Sequence, residues 1–272
     1  MAARFSITPA ELWTLLGTPA APVIVDVRRP EAIEASNGLL PASIRHDPLE
    51  VTSSMWGGAA GTIVVACKHG HERSQTAAAQ LRERGLEARV LEGGYEAWVA
   101  EAVPVLDRTA VVRLLPHVPS LWVTRRRPKV DRVACPWLIR RFIDPQARFL
   151  FVDPPEVPAV ARDSGAIPFD IEGVELSHEG ERCSFDTMLK LFGLESEPSL
   201  ARLALIVRGA DTARPDLAPE AAGLHAVSLG LSAMSGDDDH GLLQRGFLVY
   251  DALFAWLRFA SAERHNWPAK AV

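Results

Sequence analysis

The stretch VVACKHGHERS (64–74) decides how the first half of this chain is read. The β-branched run TIVVA, 62–66, reads as a buried strand, and Ser74–Arg84 reads as a helix stopped by Gly85. Cys67 therefore stands where a strand ends and a short loop enters a helix. In a parallel α/β sheet, ligands bind in the crevice at the carboxyl ends of the strands. Such a loop aims several backbone N–H groups inward and the helix dipole adds to them, which makes a cradle for an anion. Gly70 permits the tight turn. Lys68, His69, His71 and Arg73 bring positive charge, with Glu72 and Ser74 completing the loop. Helix N-termini and nearby cations lower thiol pKa values from ~8.5 towards ~3.5–7.5, and the thiolate is the nucleophilic form. Two other readings compete. Cys67 can be a buried structural cysteine. Cys67, His69 and His71 can also be a zinc clip, although three ligands in one tight turn converge poorly on a tetrahedron.

Working outward, Thr8-Pro9-Ala10-Glu11 has the pattern of a capped helix start. PVIVDV, 22–27, and ARVL, 88–91, read as strands; Gly93-Gly94 is a turn and YEAWVAEA, 95–102, a helix. Strands alternating with helices predict an α/β domain with a largely parallel sheet over residues 1–105. The segment 103–120 contains three prolines and little periodicity, so we expect the domain boundary there, with 106–120 as a linker. From 121 onward the rhythm changes. LWVTR, 121–125, and RFLFVD, 148–153, read as strands and Pro136–Ile143 as a helix. FDTMLKLFG, SLARLALIVRGA and LLQRGFLVYDALFAWLRFASAER then read as helices, which predicts a helix-rich α+β domain over 121–272.

Composition excludes several function classes. A net charge of −5 over 272 residues argues against a protein built to coat nucleic acid. Three widely spaced cysteines, Cys67, Cys135 and Cys183, form no disulfide framework and fit a reducing compartment. The N-terminus lacks the pattern of a secretion signal, and FLVYDALFAWLRFA, 247–260, is interrupted by Asp251 and Arg258. We expect a cytoplasmic protein without membrane contact.

Residues 1–103 resemble a rhodanese domain. The resemblance rests on IVDVRRPEAIEASNGLLPASIRHDP, on VVACKHGHERS and on LEGGYEAW, which follow one another in the rhodanese order. It implies sulfane-sulfur transfer without a cofactor. Cys67 would take sulfur from a small anionic donor such as thiosulfate and pass it to a thiol or another nucleophile. The N–H groups of residues 68–73 would hold the anion, Arg73 would add charge, and Asp26 and Arg28 would support the site as a salt bridge at a strand end. The loop departs from the commoner Cys-x-x-Gly-x-Arg pattern, since five residues separate Cys67 from Arg73. That spacing resembles the phosphatases and arsenate reductases built on the same fold. An oxyanion (arsenate or chromate) reductase or a phosphatase is therefore the second reading. Phosphoester cleavage wants a general acid, and Glu72 is the carboxylate inside the loop.

Residues 121–272 resemble the C-terminal domain of ChrB-type chromate-resistance proteins, through WVTRRRPKVDRVACPWLIRRFIDPQARFLFVDP, LSHEGERCSFDTML, LIVRGADT, LHAVSLGL and YDALFAW. The resemblance implies a role in chromate response or resistance. A third reading is then a non-enzymatic, chromate-responsive regulator or binding protein. TRRRPKVDR, 124–132, can bind an anion or DNA, although a solvated basic face is the simpler reading in an acidic chain, and DNA is not favoured. Arg140 and Arg141 can join it as a second anion site. His178, Glu179 and Cys183 offer ligand types for a zinc-like metal, with Asp131 or Asp211 completing the set. Against this stands a group of hydrogen-bonded polar residues around a core cysteine. Asp237-Asp238-Asp239-His240 lacks the ligand spacing of a calcium loop and reads as solvated. His225 reads as a buried helix residue, and Trp137, Tyr250 and Trp256 as core.

Overall fold

A computed structural model describes residues 5–51 and 61–263. In the first half, β1 (Ser6–Ile7), α1 (Pro9–Leu15), β2 (Val23–Asp26), α2 (Pro30–Glu34), β3 (Gly38–Leu39), β4 (Ser43–Arg45), β5 (Ile63–Ala66), α3 (Glu72–Glu83), β6 (Ala88–Leu91) and α4 (Gly94–Ala100) follow in order. The main sheet has the order β1-β6-β5-β2-β4, and every pairing in it is parallel. A strand buried on both faces must be apolar throughout, which is why β2 and β5 read as continuous runs. Alternation divides their side chains: Ile24, Val64 and Ala66 face the main core, while Val25, Val65 and Cys67 pack with Ala77, Ala78 and Leu81 of α3. The capping box of α1 forms as its sequence predicts, with Thr8 Oγ1 accepting from Glu11 N and the Glu11 carboxylate accepting from Thr8 N.

The 106–120 segment contains ordered elements. β7 (Leu106–Asp107) pairs antiparallel with β3, and α5 (Arg108–Leu114) follows, capped by Asp107. Beyond it come β8 (Leu121–Arg125), α6 (Asp131–Leu138), β9 (Arg148–Val152), α7 (Val157–Ser164), β10 (Ile167–Pro168), α8 (Ser184–Leu191), α9 (Pro198–Asp211), α10 (Ala221–Ser235) and α11 (Asp239–Ala255). Three strands, β10-β8-β9, make a small parallel sheet, and the rest is helix. The helix expected from Pro136 begins at Asp131 and runs into a π-helical stretch, Ile139–Ile143. Pro136 lies inside α6, where it withholds one intrahelical donor. Asp238, in the acidic loop, caps α11 by accepting from Gly241 N. His225 is exposed on α10, not buried: Leu224, Ser228 and Ser232 form the inward face of that helix. Trp137 and Tyr250 are core, and Trp256 packs against it half-buried.

One hydrophobic core runs through both halves. Leu12, Leu16 and Trp98 share it with Trp137, Phe142 and Phe254. Trp13 meets Phe142 with ring centroids 5.9 Å apart. Arg258 donates to the Trp13 and Leu16 carbonyls at 3.0 and 2.9 Å, closing the last two unpaired carbonyls of α1 onto the second half. No helix among the described residues is long and apolar enough to cross a membrane.

Candidate functional sites

The Cys67 loop is shaped by the turn that precedes α4. Tyr95 N donates to the Cys67 carbonyl at 2.9 Å and Glu96 N to the Lys68 carbonyl at 3.0 Å. With those carbonyls turned to α4, the following N–H groups are free to point the other way, at sulfur. Gly94 makes the contact possible, because it has φ +62° and a Cβ there would stand 2.3 Å from the Cys67 oxygen. The Cys67 Sγ lies 3.1 Å from Ser74 Oγ. Burial pushes the thiol pKa up, but the Ser74 hydroxyl and the N–H groups of His69, Ser74 and His71 outweigh it, so the thiol ionises below its ordinary value. α3 begins at Glu72, so Ser74 donates from its first turn. This is the arrangement of an anion cradle with a nucleophile at its centre.

The other loop residues have distinct places. Gly70 and Ser74 are buried, while Lys68, His69, His71 and Glu72 are exposed. Lys68 and His69 both pair with Glu96, at 3.2 and 3.0 Å, and the His69 and His71 rings stack. Among the described residues, the groups that could hold a metal do not include Cys67, His69 and His71. Arg73 donates Nε to the Val27 carbonyl and lines a cavity of about 540 Å³ with Asp26, Arg28, Arg45 and His46. Asp26 and Arg28 form a buried pair, Nη2 to Oδ2 2.7 Å, with the guanidinium 3.8 Å over the Tyr95 ring. They brace the ends of β2 and α4 rather than face the sulfur.

In the second half the expected ligands separate. His178, Asp131 and Asp211 come together: His178 Nε2 lies 3.4 Å from Asp131 Oδ2 and 3.3 Å from Asp211 Oδ2. Glu179 points away and pairs with Lys190 at 2.9 Å. Cys183 starts α8 with its Sγ donating to Asp186 Oδ2 at 3.3 Å. The place foreseen for them is taken by Asp170, 3.4 Å from His178 Nε2, which no local motif announces. Its φ of +51° is one that aspartate tolerates better than most residues. A hydrogen bond to Asp131, opposed by burial and helped by the charges of Asp131, Asp211 and Asp170, raises the His178 pKa to about 9. Burial, then the neighbouring Asp131, pushes Asp211 up to about 8. Burial raises the Cys135 and Cys183 thiols well above their ordinary value, which leaves Cys67 as the easily ionised thiol.

The basic run 124–132 is largely neutralised inside the fold. Arg125 pairs with Asp170 at 2.6 Å, Arg126 with Asp153 at 2.8 Å, and Arg132 with Asp170 at 3.2 Å. Arg141 is held by Asp251 at 2.7 Å, and Arg140 donates to the Ala147 carbonyl, so the two guanidinium groups do not converge on a shared anion site.

The profile of the family described as "ChrB, C-terminal domain" matches residues 122–257, and that of the "Rhodanese-like domain" matches residues 8–101. Protein ChrB of Cupriavidus metallidurans is 37% identical over 182 residues, which is 66% of this chain and 52% of that protein. The chain thus spans about half the length of this curated relative. Among solved structures, a protein of unknown function and possible tyrosine phosphatase from Rhodopseudomonas palustris is 27% identical, over 38% of this chain and 85% of its own, with a TM-score of 0.33. A rhodanese-related protein from Thermoplasma volcanium is 31% identical, over 37% of this chain and 96% of its own, with a TM-score of 0.32. The parallel sheet with its Cys67 loop and the family matches agree on the organisation: this chain belongs to the ChrB C-terminal domain family and carries a rhodanese-like domain ahead of that domain.

Proposed function

We propose that the rhodanese-like half is a sulfurtransferase that carries sulfur on Cys67 as a persulfide. The observation that supports it is the set of donors on the sulfur: the Ser74 hydroxyl and the N–H groups of His69, His71 and Ser74. The Cys67 thiolate attacks the outer sulfur of thiosulfate. A new S–S bond forms, the old one breaks, and its electron pair leaves with sulfite. The resulting persulfide anion keeps one negative charge, which the same donors stabilise. An acceptor thiolate or cyanide then attacks the terminal sulfur, and the Cys67 thiolate returns as leaving group. Phosphoester cleavage is less well supported. Glu96 is occupied by Lys68 and His69, Glu72 is exposed, and neither is hydrogen-bonded to Cys67 or Ser74. The resemblance of the second half to ChrB-type proteins supports a role of this chemistry in the response to chromate. Three free thiols support work in a reducing compartment such as the cytoplasm.

The test is intact mass after incubation with thiosulfate. The protein is expected to gain one sulfur atom, which cyanide removes, and Cys67→Ser is expected to gain none. A wild-type protein that takes up no sulfur from thiosulfate, yet loses its Cys67 thiol on turnover with arsenate, moves the assignment to the reductase.

A further inference from the structure

Four side chains of the second half meet at a point that the sulfur chemistry does not use. Asp131 comes from the first turn of α6, Asp170 from just after β10, His178 from the following loop, and Asp211 from the last turn of α9. Nε2 of His178 stands 3.4, 3.4 and 3.3 Å from one oxygen each of Asp131, Asp170 and Asp211. Ligands held at ~2.0–2.2 Å around a tetrahedral ion stand ~3.3–3.6 Å apart, so the imidazole already has ligand-to-ligand spacing from all three carboxylates. We propose that Asp131, Asp170, His178 and Asp211 bind one divalent transition-metal ion.

The surroundings are those of a built site. Metal-ligating carboxylates are held by hydrogen bonds from behind. Here Arg125 grips Asp170 Oδ2 at 2.6 Å and Ser184 Oγ donates to Asp170 Oδ1 at 2.8 Å, while Ser184 N, at the start of α8, donates to Asp131 Oδ2 at 3.3 Å. Asp131 and Asp170 are 2% and 3% exposed, whereas His178 is 42% exposed, so the carboxylates form the floor and the imidazole the solvent-facing side. An ion can enter from that side. Three buried carboxylates facing one another repel, and a cation among them removes the repulsion.

The donor set selects the kind of ion. Three carboxylates suit hard ions such as Mn²⁺, and one imidazole favours borderline ions such as Zn²⁺ and Fe²⁺. Cys183 would have drawn softer ions, but its sulfur is turned to Asp186. The expected occupant is Mn²⁺ or Zn²⁺ rather than Mg²⁺, Ca²⁺ or Cu⁺.

The experiment uses the full chain, stripped with chelator and titrated with Mn²⁺, Zn²⁺, Mg²⁺ and Ca²⁺ by calorimetry. One equivalent of Mn²⁺ or Zn²⁺ is expected to bind, and to raise the melting temperature by roughly 5 °C at a hundredfold excess over Kd. His178→Ala and Asp211→Asn are each expected to weaken binding at least ~100-fold, given that even outer-shell losses cost ~10–100-fold. Circular dichroism of the metal-free variants checks their folding. If a variant does not fold, anomalous scattering at the metal edge from wild-type crystals decides, with a peak expected among the four named atoms. The proposal is overturned if no transition ion saturates, if Mg²⁺ or Ca²⁺ alone binds, if both variants bind as the wild type does, or if the anomalous peak lies elsewhere. In the first case the protonated imidazole of His178 is itself the counter-ion. Sulfur uptake on Cys67 is expected to persist in His178→Ala, which keeps this test separate from that of the sulfurtransferase.

Discussion

Replacing Gly94 with alanine measures how much the Cys67 loop depends on its close approach to α4. The new Cβ would lie 2.3 Å from the Cys67 oxygen, 2.5 Å from Gly70 N and 2.8 Å from His69 N, all backbone atoms that no side-chain rotation can move aside. Two costs add. A left-handed conformation at a residue with a Cβ costs about 1–2 kcal/mol. Forcing a methyl group into filled space costs about 1–3 kcal/mol. The expected loss is therefore about 2–5 kcal/mol. Two controls separate the parts. Gly85 has φ +82° with nothing within 4 Å of its missing Cβ, so Gly85→Ala should show the conformational cost alone, about 1–2 kcal/mol. Gly230, inside α10 with open space around it, should gain about 0.8–1.0 kcal/mol as alanine. Urea unfolding of the three variants gives the order, and alkylation of Cys67 at neutral pH gives the functional consequence. Pushing the loop off α4 draws the His69 and His71 N–H groups away from sulfur, so Gly94→Ala should also react more slowly. If Gly94→Ala loses no more stability than Gly85→Ala, the close approach contributes nothing and the account of the loop is wrong.

Because the Cys67 thiol ionises below its ordinary value, its alkylation rate should rise with pH and level off earlier than that of a free thiol, and fall as pH drops through that lowered value. Ser74→Ala should move the profile to higher pH, while Cys135 and Cys183 should label only after unfolding; an unchanged profile in Ser74→Ala would show that the hydroxyl does not support the thiolate. Phe254 is fully buried against Trp137 and Phe142, with centroids 5.4 and 5.6 Å away, so Phe254→Ala should cost about 3–5 kcal/mol. Since the core is continuous, tryptophan fluorescence and circular dichroism should still report one transition; two separated transitions would contradict that continuity.

Local chemistry was enough for the loop. A strand of period two, a thiol, a glycine and a helix start lie within one short stretch, and each element is built from neighbours in sequence. The start of α6 was harder to read, because Pro136 looks like a first-turn residue and its burial comes from packing against α8 and α11. At the second site, sequence adjacency misleads. Glu179 follows His178 directly but pairs with Lys190, and Cys183 turns to Asp186 at the head of its own helix. His225 shows the same limit, since an apolar helix does not say which of its faces is inward.

The sequence by itself determined the parallel α/β half, the nucleophile at the end of β5 and the alternation that places Cys67 against α3. It also named three of the four members of the acidic–imidazole cluster. Only the tertiary structure decided that Asp170 joins them, that the basic run 124–132 is consumed by buried carboxylates, and that the two halves share one core. The reason is physical. Strand and helix periodicity are written into neighbouring residues, but a cluster drawn from four separate elements exists only once packing has brought those elements together.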